Sequence, residues 1–218
     1  MKKARIIIAA VILVSLSLGT TACTDFVDPS AGTPAAPSVS DQQLQVPESP
    51  PPYTPMPLMQ GYSLYENSAH RLSVQYPSEW LVNDNFNDET LVAFMDFSDF
   101  AKFQYINIVV LDAEGIIPGN LMFTPLDEFT AGIEQELVGH FDGFESISAA
   151  EGVFYGSNYF LCFKYKIFID EDELALYGAL TVNNEKFYRI EFSTEYENLA
   201  DSIETYNNML SSLFFSLE

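Results

Sequence analysis

Nine of the chain's twelve prolines fall between Pro29 and Pro57, and this clustering decides where a fold can lie. Proline lacks the amide donor that a helix or a central strand needs, and its ring clashes with the preceding turn. A segment such as "PESPPPYTPMP", mixed with Ser, Ala, Gln and Thr, buries too little apolar surface to offset its chain entropy. Residues 24–60 therefore read as a disordered tether, extended around Pro50–Pro52 and flexible elsewhere. Folding is left to residues 61–218, the length of one ordinary domain and enough to bury a core.

The segment ahead of the tether is "MKKARIIIAAVILVSLSLGTTAC". It has a basic start at Lys2, Lys3 and Arg5, an apolar run from Ile6 to Leu18, and small residues ending in Ala22-Cys23. That is the order of a secretory signal peptide. The apolar run is shorter than the ~20 residues a helix needs to cross a bilayer. Thr20-Thr21-Ala22-Cys23 resembles a bacterial lipobox, with Thr20 where leucine is usual. Residues 1–23 are thus expected to be a lipoprotein signal peptide. Cys23 would carry the lipid, palmitate included, and anchor the chain on the outer side of the cytoplasmic membrane.

Three of the nine Lys and Arg lie in that signal, so the chain from Cys23 carries six basic residues against 31 acidic ones, a formal charge of −25. Nucleic acid is excluded as a partner, because phosphate binding needs clustered Lys and Arg. Electrostatic adhesion to anionic lipid is disfavoured too, which leaves the lipid at Cys23 as the membrane attachment. Cys162 is the only cysteine after Cys23, so the domain holds no internal disulfide. Within "NYFLCFKYK" it reads as a packed thiol; a reactive one needs a base or cationic surroundings.

Periodicity sets out the elements. Leu72, Val74 and Tyr76 alternate with Arg71, Ser73 and Gln75, and then Pro77 and the chain's single tryptophan, Trp80, mark a corner. Strands follow at 90–97 and 102–112, and the run Ile106–Leu111 predicts a central strand buried on both faces. "TPLDEFTAGIEQELVGHF" opens a helix with Thr124 as its cap and Pro125 in its first turn, and closes at Gly139-His140. Leu126, Phe129, Ile133 and Leu137 recur along it at helical spacing. Two more strands precede the acidic turn "DEDE" at 170–173; "LALYGALTV" and "KFYRIEFS" complete an antiparallel meander. A last helix carries Leu199, Ile203, Tyr206, Leu210 and Leu213 on one stripe. Pairing about the two turns predicts Lys164, Gly178 and Arg189 in one row, and Lys166, Leu176 and Glu191 in the next. The opposite face would hold Phe163, Tyr165, Ile167, Tyr177, Ala179, Tyr188, Ile190 and Phe192 as core.

The stretch "LYENSAHRLSVQYPSEWLV", with Tyr76, Pro77 and Trp80, resembles the opening of PsbP-like domains. The closing strand, helix and apolar tail around Leu213–Phe215 are similar as well. The likeness spans about residues 62–217, with His70-Arg71 departing from the family's usual Gly-Phe type pair. It implies an α+β fold, an α/β/α sandwich around a central antiparallel sheet. It also implies an accessory or binding role without catalysis. The family's members include extrinsic photosystem II subunits, a Ran-binding Mog-type branch, and bacterial lipoproteins of unknown role.

No phosphate loop, zinc-protease helix or nucleophile elbow occurs in the sequence. His70 and His140 lie in different elements, and only His70 has serines close by in sequence. The chain is therefore expected not to be an enzyme and to need no cofactor. Lys164, Lys166 and Arg189 hold half the positive charge of the mature chain. They are candidates to receive an acidic protein partner; the plainer reading is that they balance Glu191 and neighbouring acids. Two acidic loops offer calcium-like oxygen donors through Asp84, Asp88 and Glu89, and through Asp170 and Asp172, although neither has EF-hand spacing. The expectation is a lipid-anchored extracytoplasmic module that binds another protein, with a small-ligand or calcium-binding lipoprotein as the alternative.

Overall fold

A computed structural model describes residues 55–216, except 85, 87–89, 99–102, 113–120, 122–123, 157 and 184–185. The signal segment, Cys23 and the tether as far as residue 54 lie outside the described residues, as do Asp88 and Glu89.

The strand that opens the domain stays out of the main sheet. β1 (Tyr62–Asn67) and β2 (Leu72–Pro77) form a hairpin, and β10 (Phe214–Phe215) pairs with the other edge of β2. Seven strands make the main sheet, in the order β3-β4-β5-β9-β8-β7-β6 and antiparallel throughout. They are β3 (Leu81–Asn83), β4 (Thr90–Asp96), β5 (Gln104–Asp112), β6 (Gly143–Tyr155), β7 (Asn158–Ile169), β8 (Asp172–Asn183) and β9 (Lys186–Glu195). Helix α1 (Leu126–His140) covers one face. Helix α2 (Leu199–Ser212), together with the small sheet, covers the other. The result is an α+β sandwich whose second outer layer is part helix and part hairpin.

Each layer follows from which side chains are apolar. β5 runs through the middle: Ile106 and Ile108 enter the core under α2, while Tyr105 enters the core under α1. Tyr206, Met209 and Leu210 give α2 its buried stripe. Ile133 and Leu137 do the same for α1. Thr124 does not cap α1. Pro125 holds the N-cap position, and among the described residues no side chain bonds the free amides there.

The Tyr-Pro-Ser-Glu-Trp stretch is a corner. Pro77 ends the β1–β2 ladder opposite Tyr62, and Trp80 N–H donates to Pro77 O at 3.0 Å to close a turn. The indole is 6% exposed and packs in the core that also holds Leu72, Val74 and Phe94. The domain also begins earlier than composition predicts. Buried Gln75 grips residues 56–59 through its carboxamide. Its Nε2 donates to Met56 O (2.9 Å) and Pro57 O (3.1 Å), and its Oε1 accepts from Met59 N–H (2.8 Å). Ser212 of α2 holds the Gln75 amide in turn, at 2.9 Å.

The predicted sheet register is wrong by one residue at β7–β8. Ile169 pairs with Asp172 across a two-residue turn, Asp170-Glu171, with Asp170 at φ 55. Asp172 and Glu173 therefore belong to β8 rather than to a longer loop. Lys164 faces Tyr177, not Gly178, and Lys166 faces Ala175. A slip of one residue turns every side chain to the other face. Lys164 and Lys166 consequently share a face with Tyr177, Ala179, Ile190 and Phe192, whereas Phe163, Tyr165 and Ile167 lie under α1. At β8–β9 the shift is two residues, Gly178 facing Glu191, which preserves the faces.

Candidate functional site

The slip breaks up the predicted basic row, because Arg189 lies on the opposite face of the sheet from Lys164 and Lys166. Lys164 Nζ lies 2.7 Å from Glu151 and Lys166 Nζ 2.8 Å from Glu173, both pairs partly exposed. Lys166 also sits over the Tyr196 ring at 4.7 Å. Burial works against the Lys164 ammonium, but the hydrogen bond and charge of Glu151 outweigh it and hold the pKa above its ordinary value. Surface pairs of this kind contribute little to stability. Each of the two lysines is balanced by an acid on a neighbouring strand.

Arg189 is a different case. Its side chain is 2% exposed under α1, between two carboxylates. Nη1 donates to Glu136 Oε2 of α1 at 3.3 Å, and Nε lies 3.0 Å from Glu191 Oε1. Asn107 of β5 donates to the other Glu191 oxygen at 3.3 Å. The two strands that meet here, β5 and β9, are central, so Glu191 is enclosed. Among the described residues, Glu136 Oε1, Asn107 Oδ1 and the Tyr105 hydroxyl are buried without a hydrogen-bond partner. Such unfilled acceptors are costly and uncommon in a core. The sequence carries a partial signal for this cluster. Asn107 interrupts an apolar run, and Arg189 and Glu191 alternate with the apolar residues of β9. Glu136 is not recognisable, since an acid on an amphipathic helix ordinarily faces water.

Burial raises the pKa of both Glu136 and Glu191, and Arg189 offsets this only in part. The native state thus keeps protons that the unfolded chain releases. This contribution to stability is complete below the unfolded value of 4.5 and is lost as pH rises through the folded values. The melting temperature is therefore expected to fall from pH 5 to pH 8. Glu191→Gln removes the enclosed titrating group and should flatten that slope. A melting profile of Glu191→Gln parallel to that of the parent would contradict this assignment.

The remaining candidates are scattered. Asp170 N–H donates to Asp142 Oδ2 at 2.8 Å, and Asp172 opens β8. Asp84 follows β3 at the far edge of the sheet. Among the described residues no three His, Cys, Asp or Glu side chains come together so as to hold a metal ion. His70 Nδ1 lies 3.4 Å from the Tyr188 hydroxyl, and the two rings meet edge to face; a phenol stands where a hydrolytic triad would place an acid or serine. His140 is exposed in the last turn of α1. Cys162 is buried, and burial together with Glu151 pushes its thiol up to about 12, which leaves it unreactive.

Two concave surfaces stand out. A groove of about 470 Å³ runs along the small sheet beside the strap gripped by Gln75, lined by Met56, Leu58, Leu64 and Phe214, with Glu66 and Arg71 among its polar members. Leu58 is 61% exposed and Leu64 50%. The second is a cleft of about 230 Å³ between α1 and the main sheet, where Arg189 forms part of the wall.

No family model matches this sequence, nor does any curated protein. Solved structures do. The cyanobacterial PsbP (CyanoP) of Synechocystis sp. PCC 6803 has a TM-score of 0.54 at 14% identity, over 72% of this chain and 94% of that one. A protein of Bacteroides thetaiotaomicron VPI-5482 has a TM-score of 0.51 at 13% identity, over 73% of this chain and 50% of that one. The Ran-binding protein Mog1p of Saccharomyces cerevisiae is more distant, with a TM-score of 0.47 at 11% identity, over 71% of this chain and 95% of that one. The likeness in element order and layers is therefore one of fold: with its antiparallel sheet held between α1 and the α2–hairpin layer, the chain has the PsbP-like fold.

Proposed function

We propose that the protein is a non-catalytic accessory module of the bacterial cell envelope, anchored by a lipid at Cys23 and docking another protein through the groove of the small sheet. The observation that carries this reading is the exposure of Leu58 and Leu64 in one apolar groove, where the chain arrives from the tether. Exposed apolar side chains that share a concave surface mark interaction sites more often than isolated ones do. The Gln75 grip supports it, since it holds Met56–Met59 in place as one wall of the groove. The signal pattern and the tether supply the anchor and the reach.

Two measurements test the two parts. Cys23→Ser should move the protein out of the membrane fraction and abolish palmitate labelling; unchanged labelling would refute the anchor. A photo-crosslinking residue at Met56 should capture one envelope protein, and Leu58→Asp with Leu64→Asp should remove that band at an unchanged melting temperature. Capture that survives the double substitution would refute the groove.

A further inference from the structure

We propose that the cleft beneath the N-terminal half of α1 binds a small neutral aromatic molecule bearing one N–H or O–H donor. The site is separate from the groove of the small sheet and does not depend on that reading.

Phe129, Ile133, Phe163 and Leu180 wall the cleft, Arg189 lies at its inner side, and Glu128 is among its lining residues. Two glycines keep it open. Gly132 sits in the middle of α1, where glycine costs roughly 1 kcal/mol relative to alanine. No packing among the described residues demands it, because a Cβ added at Gly132 would meet none of them within 4 Å. What the missing side chain preserves is the empty volume it borders. Gly178 acts on the opposite wall. The Phe163 ring lies across it, so closely that a Cβ there would collide with the ring. Gly178 thus lets an aromatic side chain lie against the sheet as a wall.

Size and charge select the occupant. A cavity of about 150 Å³ lined by apolar side chains holds benzene, so 230 Å³ has room for a bicyclic ring. Arg189 faces two carboxylates, Glu136 and Glu191, and Glu128 adds a third to the lining, so an anion is repelled. A cation would lose its hydration among Phe129, Ile133, Phe163 and Leu180 and lie beside the Arg189 guanidinium. A neutral donor suits the site: Glu136 stands beside the lining rather than in it, one turn on from Gly132 and bonded to the same Arg189, and its buried Oε1 has no hydrogen-bond partner among the described residues.

Indole is a suitable probe, with its anionic and cationic relatives indole-3-acetate and tryptamine as comparisons. Calorimetric titration of the full chain should show saturable one-to-one binding of indole in roughly the sub-millimolar range that nine heavy atoms allow. Each charged relative should bind at least about tenfold more weakly. Gly132→Met fills the cleft and should lower indole affinity at least about tenfold, while Gly132→Ala tests the change of helix propensity alone. Amide shifts of the unsubstituted protein provide a reading free of any folding defect: indole should move Gly132, Ile133, Phe163 and Leu180. Absence of saturable binding, equal binding of a charged relative, full affinity in Gly132→Met, or shifts confined to other residues would each overturn the proposal.

Discussion

Arg189→Ala is expected to cost about 3–5 kcal/mol in urea unfolding, because it strands two buried carboxylates under α1. Arg189 makes ion pairs with both Glu136 and Glu191, and its own side chain is only 2% exposed. With the guanidinium gone, Glu191 would retain Asn107 as its only described polar contact, and water cannot reach it without opening the sheet. The protein should respond by taking up protons, so the loss should be smaller at pH 5 than at pH 8. An apolar replacement of the whole cluster, Arg189→Met with Glu136→Leu and Glu191→Leu, removes every charge together. It should restore most of the loss, since the penalty comes from unpaired charge and not from missing attraction. A loss below about 1 kcal/mol for Arg189→Ala would mean that the carboxylates find solvent.

Trp80→Ala is the second large effect, also expected at about 3–5 kcal/mol. The indole is 6% exposed and shares a core with Leu72 and Val74 of the small sheet and Phe94 of the main sheet. It thus ties the two sheets together at the corner where the chain crosses between them. Trp80→Phe keeps a ring there and should lose far less. Trp80 is the only tryptophan, so its emission reports on the site directly: blue-shifted when folded, red-shifted on unfolding. A loss below about 1 kcal/mol, with emission already red-shifted in the folded protein, would make Trp80 a surface contact residue instead.

The parts of the fold that could be read in advance were those carried by local chemistry. The strands 90–97 and 102–112 and both helices were visible because burial imposes period two or period 3.6 on apolar residues. β1 carries no period in the sequence: "YSLYEN" buries only part of its surface, and its burial pattern is no cleaner than that of a loop. β3 and β10, of three and two residues, are too short to show a period at all. The strap at residues 56–59 reads as tether by composition, and only Gln75, distant in sequence, holds it to the domain.

The candidate site shows the same division more sharply. That Lys164, Lys166 and Arg189 balance Glu191 and neighbouring acids is the plainer reading of the sequence, and the ion pairs of Arg189 and of both lysines agree with it. Which face Arg189 occupies was not legible, because the face depends on a single residue of turn length at Asp170-Glu171. That difference separates one basic row into two surface lysines and a buried arginine. The sequence alone determined the strand and helix periods and the acidity, since each is a property of neighbouring residues. Register, the enclosure of Arg189 between Glu136 and Glu191, and the cleft at Gly132 were decided only by the tertiary structure. Each arises where residues far apart in the chain meet, and the pairing of strands, with its period of two, lets a shift of one position exchange inside for outside.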